Sequence, residues 1–354
     1  MDKKLRFALI GCGAISKKHI ESLRNIPDAE LTAVCDIDKD AAAKTGQSYH
    51  VPYYTDAHEL AKKEAFDVFV VVTPSGSHAQ VILELVQYEK HFVVEKPLAL
   101  RLFDVDEIIR ACDTKGCKLF VVQQNRFNPP IVQLKKALEA GRFGKIVLAT
   151  ARVRWCRRQD YYDQKKWRGT WQWDGGVLAN QANHHVDMLT WLIGDVDEVS
   201  SMSATRLVKI EAEDTIVACL KFHNGALGVI EATTATRPKD LEGSISVLGE
   251  KGSVEIGGFY TNKLKLWSFE NKLPEDDAIV KNYSETPETF AWNHMEYYKN
   301  VIHSIRQHKK GLVDGFEGRK SIELINAIYE STESGEKVPL RFVPSHSRLG
   351  KNAQ

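Results

Sequence analysis

The sequence predicts two domains of different class: an α/β domain on a parallel sheet over residues 1–125, and an α+β domain on an open, mostly antiparallel sheet over 126–354. Three observations carry this expectation. Up to Val122, short unbroken apolar runs alternate with stretches of helical spacing. Beyond Asn125 that rhythm gives way to alternating runs separated by turn signals. The 354 residues also exceed the roughly 100–200 typical of one domain.

Leu5–Ile10, Leu31–Cys35, Val68–Val72, Phe92–Val94 and Leu119–Val122 read as strands, with helices expected over Ala14–Arg24, Ala79–Tyr88 and Leu102–Cys112. Strands that are apolar throughout signal a sheet covered on both faces, which is parallel and collects ligands at the carboxyl ends of its strands. A helix at Ile131–Gly141 and a strand at Ile146–Trp155 open the second domain, followed by a helix expected over Val177–Leu192. EDTIVACLKF, ALGVIEATTAT and SISVLGEKGSVEI then read as strands, and Asn224-Gly225 between the first two is a hairpin signal. Late helices are expected over Thr289–His308 and Phe316–Ser331.

Lys and Arg number 48 against 47 Asp and Glu, a net charge of +1, so no polybasic field exists for nucleic acid or an anionic membrane. No apolar run approaches the roughly 20 residues needed to span a bilayer. The first apolar run stops after Ile10 at a glycine turn, which is too short for a signal peptide; a cytoplasmic protein is expected. Six scattered cysteines without CxxC spacing suggest free thiols, and no metal site is expected.

Gly11, Gly13, Ala14, Ile15 and Ser16 belong to a GxGxxS loop between the first strand and the first helix. Gly11 permits the tight turn, Gly13 the approach of a pyrophosphate, and Ser16 keeps the third position small for helix packing, while the helix N-terminus offers unpaired N–H groups. This is the dinucleotide fingerprint of a Rossmann domain. Asp36 ends the next strand, where a carboxylate accepts from both ribose hydroxyls and repels a 2′-phosphate, so the cofactor is expected to be NAD rather than NADP. Glu95-Lys96-Pro97 closes a buried strand at the ligand edge, where an ammonium reaches toward the nicotinamide, although an isolated EKP is also an ordinary turn. Asp174-Gly175-Gly176 precedes the expected helix that carries Asn180, His184, His185 and Asp187, and the pattern does not choose between the two histidines.

The ordered set GxGxxS, TPSGSH (Thr73–His78), EKP, QNRFNP (Gln124–Pro129) and GG(x)₇HxxD resembles the Gfo/Idh/MocA oxidoreductase family over essentially the whole chain. The resemblance implies a Rossmann domain, a C-terminal sheet domain for substrate and subunit contacts, and hydride transfer between a nicotinamide and a sugar or cyclitol carbon. It places Thr73, Pro74, Ser75, His78, Glu95, Lys96 and Gln124 around the cofactor, and makes Lys96 and His184 the acid/base pair. Asn180 stands where many members have Asp, which removes an Asp–His relay and leaves Asn180 to hydrogen-bond substrate or imidazole.

Asn180-Gln181, YYxxxxWRGTW (Tyr161–Trp171) and the run Glu231–Gly252 look closer to one branch, which oxidises C3 of UDP-N-acetylglucosaminuronic acid in bacterial surface-polysaccharide synthesis. That branch implies a nucleotide-sugar substrate, a homotetramer and, in some members, NADH kept bound and recycled by 2-oxoglutarate. Arg152, Arg154, Arg157, Arg158, Lys165, Lys166 and Arg168 interleave with Trp155, Tyr161, Tyr162, Trp167, Trp171 and Trp173, with only Asp160 and Asp163 among them. Guanidinium forks suit carboxylate and phosphate, and aromatic faces suit uracil and sugar. Arg126, Arg158, Tyr161, Trp167 and Arg168 are accordingly expected to meet substrate; a subunit interface is the other use of such a stretch. An uncharged sugar or cyclitol such as myo-inositol or glucose is the alternative substrate, and a non-catalytic NAD sensor the alternative class.

Overall fold

A computed structural model describes residues 3–285, 292–341 and 343–352. The chain divides into two compact units, residues 1–124 with 290–319, and 125–289 with 320–354. In the first, β1 (Leu5–Ile10), β2 (Ala29–Cys35), β3 (Tyr53–Tyr54), β4 (Val68–Val71), β5 (His91–Val94) and β6 (Leu119–Val121) form a parallel sheet in the order β3-β2-β1-β4-β5-β6. Strands β4 and β6 are buried at every position, as the unbroken apolar runs require of strands covered on both faces. The strand order reverses between β1 and β4, which opens a crevice at their carboxyl ends. Helices α1 (Ser16–Arg24), α2 (Lys39–Tyr49), α3 (Ala57–Lys63), α4 (His78–Leu85) and α5 (Leu102–Thr114) form the crossovers. Asp38 caps α2 and Asp56 caps α3 through the N–H groups of the first turn.

In the second unit, α6 (Pro129–Glu139), β7 (Ile146–Arg154), α7 (Gln159–Asp163) and α8 (Asn183–Ile193) precede β8 (Val196–Ala204), β9 (Thr215–Phe222), β10 (Leu227–Thr233), β11 (Glu242–Gly249), β12 (Gly252–Gly257), β13 (Lys263–Phe269) and α9 (Asp276–Tyr283). The eight-stranded sheet runs β13-β12-β11-β7-β10-β9-β8 and ends on β14 (Val338–Pro339); all its pairs are antiparallel except β7 with β10. From Ile216 on, β9 alternates between buried and exposed residues, so one face of the sheet is covered, by α8 among others, and the other is open. Asn224-Gly225 makes the β9–β10 hairpin, with Gly225 at φ +85° and the Asn224 side chain accepting from Ala226 N–H.

Two sequence expectations shift. The helix expected from Val177 begins only at Asn183: Ala182 N–H reaches back to the Val177 carbonyl at 2.8 Å, out of the i→i−4 register, while the N–H groups of Val177 and Leu178, which a helix starting there would leave unpaired, go to Glu213. Residues 290–319, which the sequence places in the second domain, cluster with the first: α10 (Trp292–Arg306) buries Tyr297, Tyr298, Val301 and Ile302 and packs on α1, and α11 (Gly315–Ser334) runs on across the division. The first three residues of the late helix expected from Thr289 lie outside the described residues. Among the described residues no helix is long and apolar enough to cross a membrane.

Candidate active site

The cofactor half of the site grows from the end of β1. Gly11 has φ +104°, and a Cβ there would stand 2.8 Å from the Val72 carbonyl oxygen, so both conformation and space demand glycine. At Gly13 a Cβ would meet nothing within 4 Å, and Gly13, Ala14 and Ile15 are exposed, leaving a cradle over the turn. Ser16 Oγ donates to the Gly13 carbonyl at 2.6 Å, and no side chain caps the N-terminus of α1. Asp36 is fixed by Cys12 N–H at 2.6 Å and Asp38 N–H at 2.9 Å, which aims its carboxylate at the same crevice. Cradle, uncapped helix and oriented acid fit a dinucleotide's pyrophosphate and ribose.

Thr73, Pro74 and Ser75, all half-buried, line the turn after β4, and the Ser77 hydroxyl lies 2.8 Å from that of Thr73. His78, expected at the cofactor, is fully buried instead, each ring nitrogen 2.9 Å from a carbonyl oxygen, of Pro97 and Thr73. It ties the loop after β4 to the loop after β5. Glu95, also expected at the cofactor, points inward: one carboxylate oxygen lies 2.9 Å from His19 Nε2 and the other accepts from Lys96 N–H at 3.0 Å. Burial alone would raise its carboxyl, but the His19 hydrogen bond and the adjacent charges hold it below the ordinary range. Lys96 follows half-buried at the strand end, and Gln124 is half-buried after β6.

The second unit carries the remaining residues that the sequence singles out. Gly175 turns at φ +77°, and a Cβ at Gly176 would collide with the Glu213 carboxylate, which also accepts from Leu178 N–H and Tyr329 OH, each at 2.9 Å. Burial pushes the Glu213 carboxyl up to about 7. This clamp sets the path of the chain toward α8. Asp174 accepts from Gly169 N–H at 2.9 Å and from the Asn180 side-chain amide at 2.6 Å, so Asn180 is held in the turn before α8 and not on the helix face expected for it. His184 sits half-buried in the first turn of α8. His185 is sealed, neither ring nitrogen has a hydrogen-bond partner, and burial pushes it down to about 4, so it stays neutral with no route for a proton.

Arg126, expected to meet substrate, is 1% exposed and committed to Asp187 by two hydrogen bonds of 2.7 and 2.8 Å, with its guanidinium 5.1 Å from the Trp191 ring centre. The basic stretch is likewise quieter than it reads. Arg154 pairs bidentately with Glu231 at 2.6 and 2.7 Å, Arg152 lies 3.7 and 3.6 Å from Glu242 and Glu255, and Arg157 lies 3.0 Å from Asp240. Strands β10, β11 and β12 supply Glu231, Glu242 and Glu255, and the segment before β11 supplies Asp240, all of which a linear reading sees as distant. Arg158 is exposed, with one long contact to the Pro238 carbonyl at 3.4 Å. Tyr161, Trp167 and Arg168, expected to meet substrate, pack together: the guanidinium lies 4.1 Å from the Tyr161 ring centre and 5.7 Å from that of Trp167, and donates to the Tyr161 carbonyl at 2.6 Å. Sequence reasoning missed His19, Tyr298, Glu213 and Tyr329. The available signal was Glu95 itself, an acid closing an apolar strand, which needs a buried partner.

A glycine turn at the reversal point of a parallel sheet, joined to a sheet domain with one accessible helix histidine, defines a nicotinamide-dependent oxidoreductase. Residues 5–123 match the NAD-binding Rossmann fold, and residues 135–340 the C-terminal alpha/beta domain, of the Gfo/Idh/MocA oxidoreductase family. The chain belongs to that family, binds NAD, and is a dehydrogenase acting on sugars or cyclitols. Two solved structures are similar over 97% of the chain. The WlbA dehydrogenase from Bordetella pertussis, in complex with NADH and UDP-GlcNAcA, is 42% identical with a TM-score of 0.93 and 99% of its chain covered. The WlbA dehydrogenase from Chromobacterium violaceum, with the same ligands, is 40% identical with a TM-score of 0.92 and 98% covered. Among curated proteins, myo-inositol 2-dehydrogenase of Thermotoga maritima is 27% identical, over 96% of this chain and 99% of its own.

Proposed function

We propose that the protein oxidises the C3 hydroxyl of UDP-N-acetylglucosaminuronic acid with NAD, forming a 3-keto sugar for bacterial surface-polysaccharide synthesis. The similarity to the two WlbA dehydrogenases, at 42% and 40% identity over 97% of the chain, supports this reading most directly. NAD supplies the hydride acceptor. Gly11, Gly13 and the N-terminus of α1 hold its pyrophosphate, and Asp36 its adenosine ribose. His184 takes the proton of the C3 hydroxyl, and Lys96 hydrogen-bonds the same oxygen as negative charge develops on it. Asn180 orients the sugar through its amide, itself anchored on Asp174. Arg158, Arg168, Tyr161 and Trp167 face the anionic and aromatic parts of the nucleotide. The open sheet face carries exposed Met202, Val217 and Leu227, which suits burial in a homo-oligomer.

NADH formation from UDP-N-acetylglucosaminuronic acid and from myo-inositol, each with and without 2-oxoglutarate, tests the substrate. Faster turnover of the nucleotide sugar is expected. Faster turnover of myo-inositol would replace this reading with the cyclitol activity of the 27% identical relative. Lys96→Ala and His184→Ala are each expected to lower kcat by about 10²–10⁴-fold with NAD binding retained.

A further inference from the structure

We infer that Tyr298, His19 and Glu95 form a buried positioning chain that fixes Lys96 in its working orientation. The inference rests on the role given to Lys96 above. Glu95 is the residue before Lys96, and its carboxylate is engaged at both ends: Oε2 accepts from the Lys96 backbone N–H at 3.0 Å, and Oε1 lies 2.9 Å from His19 Nε2. His19 Nδ1 lies 2.7 Å from the Tyr298 hydroxyl. Tyr298 and His19 are 0% exposed and Glu95 8%.

The chemistry of the chain selects one arrangement of protons. Glu95 is an ionised acceptor that already receives Lys96 N–H, so His19 Nε2 carries a proton toward it. The Tyr298 hydroxyl has no other acceptor among the described residues, so it donates to Nδ1, which is then the acceptor, and the ring carries the Nε2 proton alone. Every polar atom in the sequence Tyr298 O–H, Nδ1, Nε2–H, Oε1 then has a partner, as buried polar groups require. His294, edge-on to the His19 ring at 5.5 Å, and Tyr298, edge-on at 5.8 Å, hold the imidazole plane. His19, Glu95 and His294 lie close enough together to bind a metal ion. Both His19 nitrogens are, however, already spent on hydrogen bonds.

Two consequences follow for Lys96. Its backbone N–H is anchored to a carboxylate that cannot rotate, because His19 holds the far oxygen. Its ammonium also has a fixed anion on the preceding residue, which favours the protonated, hydrogen-bond-donating form. The other titratable groups that bear on Glu95 are Lys18 beside His19 on α1, His78 on α4, and His294, Tyr297 and Tyr298 on α10. Burial keeps His78 and both tyrosines in their neutral forms near pH 7, while Lys18 contributes a competing full charge. The chain also joins Lys96 to α1, the helix whose N-terminus forms the dinucleotide cradle. Cofactor loop and lysine are thereby set from one rigid element.

The test compares His19→Leu, His19→Gln and Tyr298→Phe in the full-length protein. Leucine removes the donor to Glu95, whereas a glutamine amide reproduces Nε2–H. For His19→Leu we expect kcat on UDP-N-acetylglucosaminuronic acid to fall about tenfold or more, with the alkaline limb of its pH profile moved to lower pH and the dissociation constant for NADH within about twofold of wild type. His19→Gln is expected to recover to within about threefold of wild type. Independently of turnover, the ¹⁵N shifts of His19 in the cofactor-free protein should report a ring protonated at Nε2, and in Tyr298→Phe the Nε2 proton should stay while the Nδ1 shift moves to that of an acceptor without a hydrogen bond.

The inference is overturned if His19→Gln is as impaired as His19→Leu while binding NADH normally, if the alkaline limb stays in place or moves up, or if His19 is protonated at Nδ1 alone. Lys96→Ala separates the two possible failures. Full turnover in Lys96→Ala overturns the role of Lys96 itself, whereas an inactive Lys96→Ala beside a His19→Leu of wild-type kcat overturns this inference alone.

Discussion

The Arg126–Asp187 pair carries a stability prediction whose size follows from its burial. Both side chains are 1% exposed, and two parallel hydrogen bonds of 2.7 and 2.8 Å join them. The pair ties the segment before α6 to the middle of α8, the helix that presents His184. Replacing Asp187 by Leu removes the anion and leaves a guanidinium sealed beside Trp191, and breaking a buried pair in this way costs about 3–5 kcal/mol, against about 0–1 kcal/mol for an exposed one. In a unit of about 200 residues with an unfolding entropy near 2.1 cal/mol/K per residue, that loss lowers the melting midpoint by about 7–12 °C.

The double variant Arg126→Met/Asp187→Leu removes both charges along with the cost of burying them, and is expected within about 2 kcal/mol of wild type. Urea denaturation of wild type, Asp187→Leu and the double variant, followed by tryptophan fluorescence, gives the cycle. If Asp187→Leu costs less than about 1 kcal/mol, or the double variant falls as far as the single, then the pair is not the sealed ion pair its geometry describes.

Three further outcomes are expected. Asp36→Ser removes the carboxylate that repels a 2′-phosphate and should cut the preference for NAD over NADP by about tenfold or more in paired titrations; unchanged discrimination would place that selectivity elsewhere. The Glu330 carboxyl is held down to about 2, because the Ser345, His346 and Ser347 donors outweigh the opposing effect of burial; its stabilising contribution, about 3 kcal/mol, is complete above the unfolded value near 4.5 and disappears as pH falls toward 2. Glu330→Gln should therefore flatten the stability profile between pH 5 and 2, and a profile identical to wild type would contradict this. Burial pushes the Cys12 thiol up to about 11, so at pH 8 exposed Cys219 should react with a disulfide reagent well before Cys12, whose labelling should quicken as pH rises toward 11; prompt labelling of Cys12 at pH 8 would be the contrary result.

What the sequence made legible is what it encodes over short distances. β1, β4 and the GxGxxS loop were readable because unbroken apolar runs and a glycine turn are local signals, and the loop's geometry at Gly11 answers to them residue by residue. α2 was not, since it buries only Ala42 and Gly46 and has no apolar stripe; its signal was the Asp38 cap. The start of α8 escaped because residues 177–181 form turns packed against Glu213, 35 residues on from Leu178, a contact that local spacing does not contain. The candidate site depends still more on separation. His19 meets a tyrosine 279 residues away, and Arg154 meets an acid 77 residues away across the sheet.

Such pairings follow from strand order, which periodicity does not contain. They also redistribute the charge on which the substrate reading rested. Once Glu231, Glu242, Glu255 and Asp240 answer Arg152, Arg154 and Arg157, the cations of the stretch that keep an exposed or solvent-facing charge are Arg158, Lys165, Lys166 and the half-buried Arg168. A UDP-linked uronate carries three negative charges, two on the diphosphate and one on the carboxylate, so a few such groups would serve it, and under the proposed function the expected substrate contacts narrow to the segment around α7.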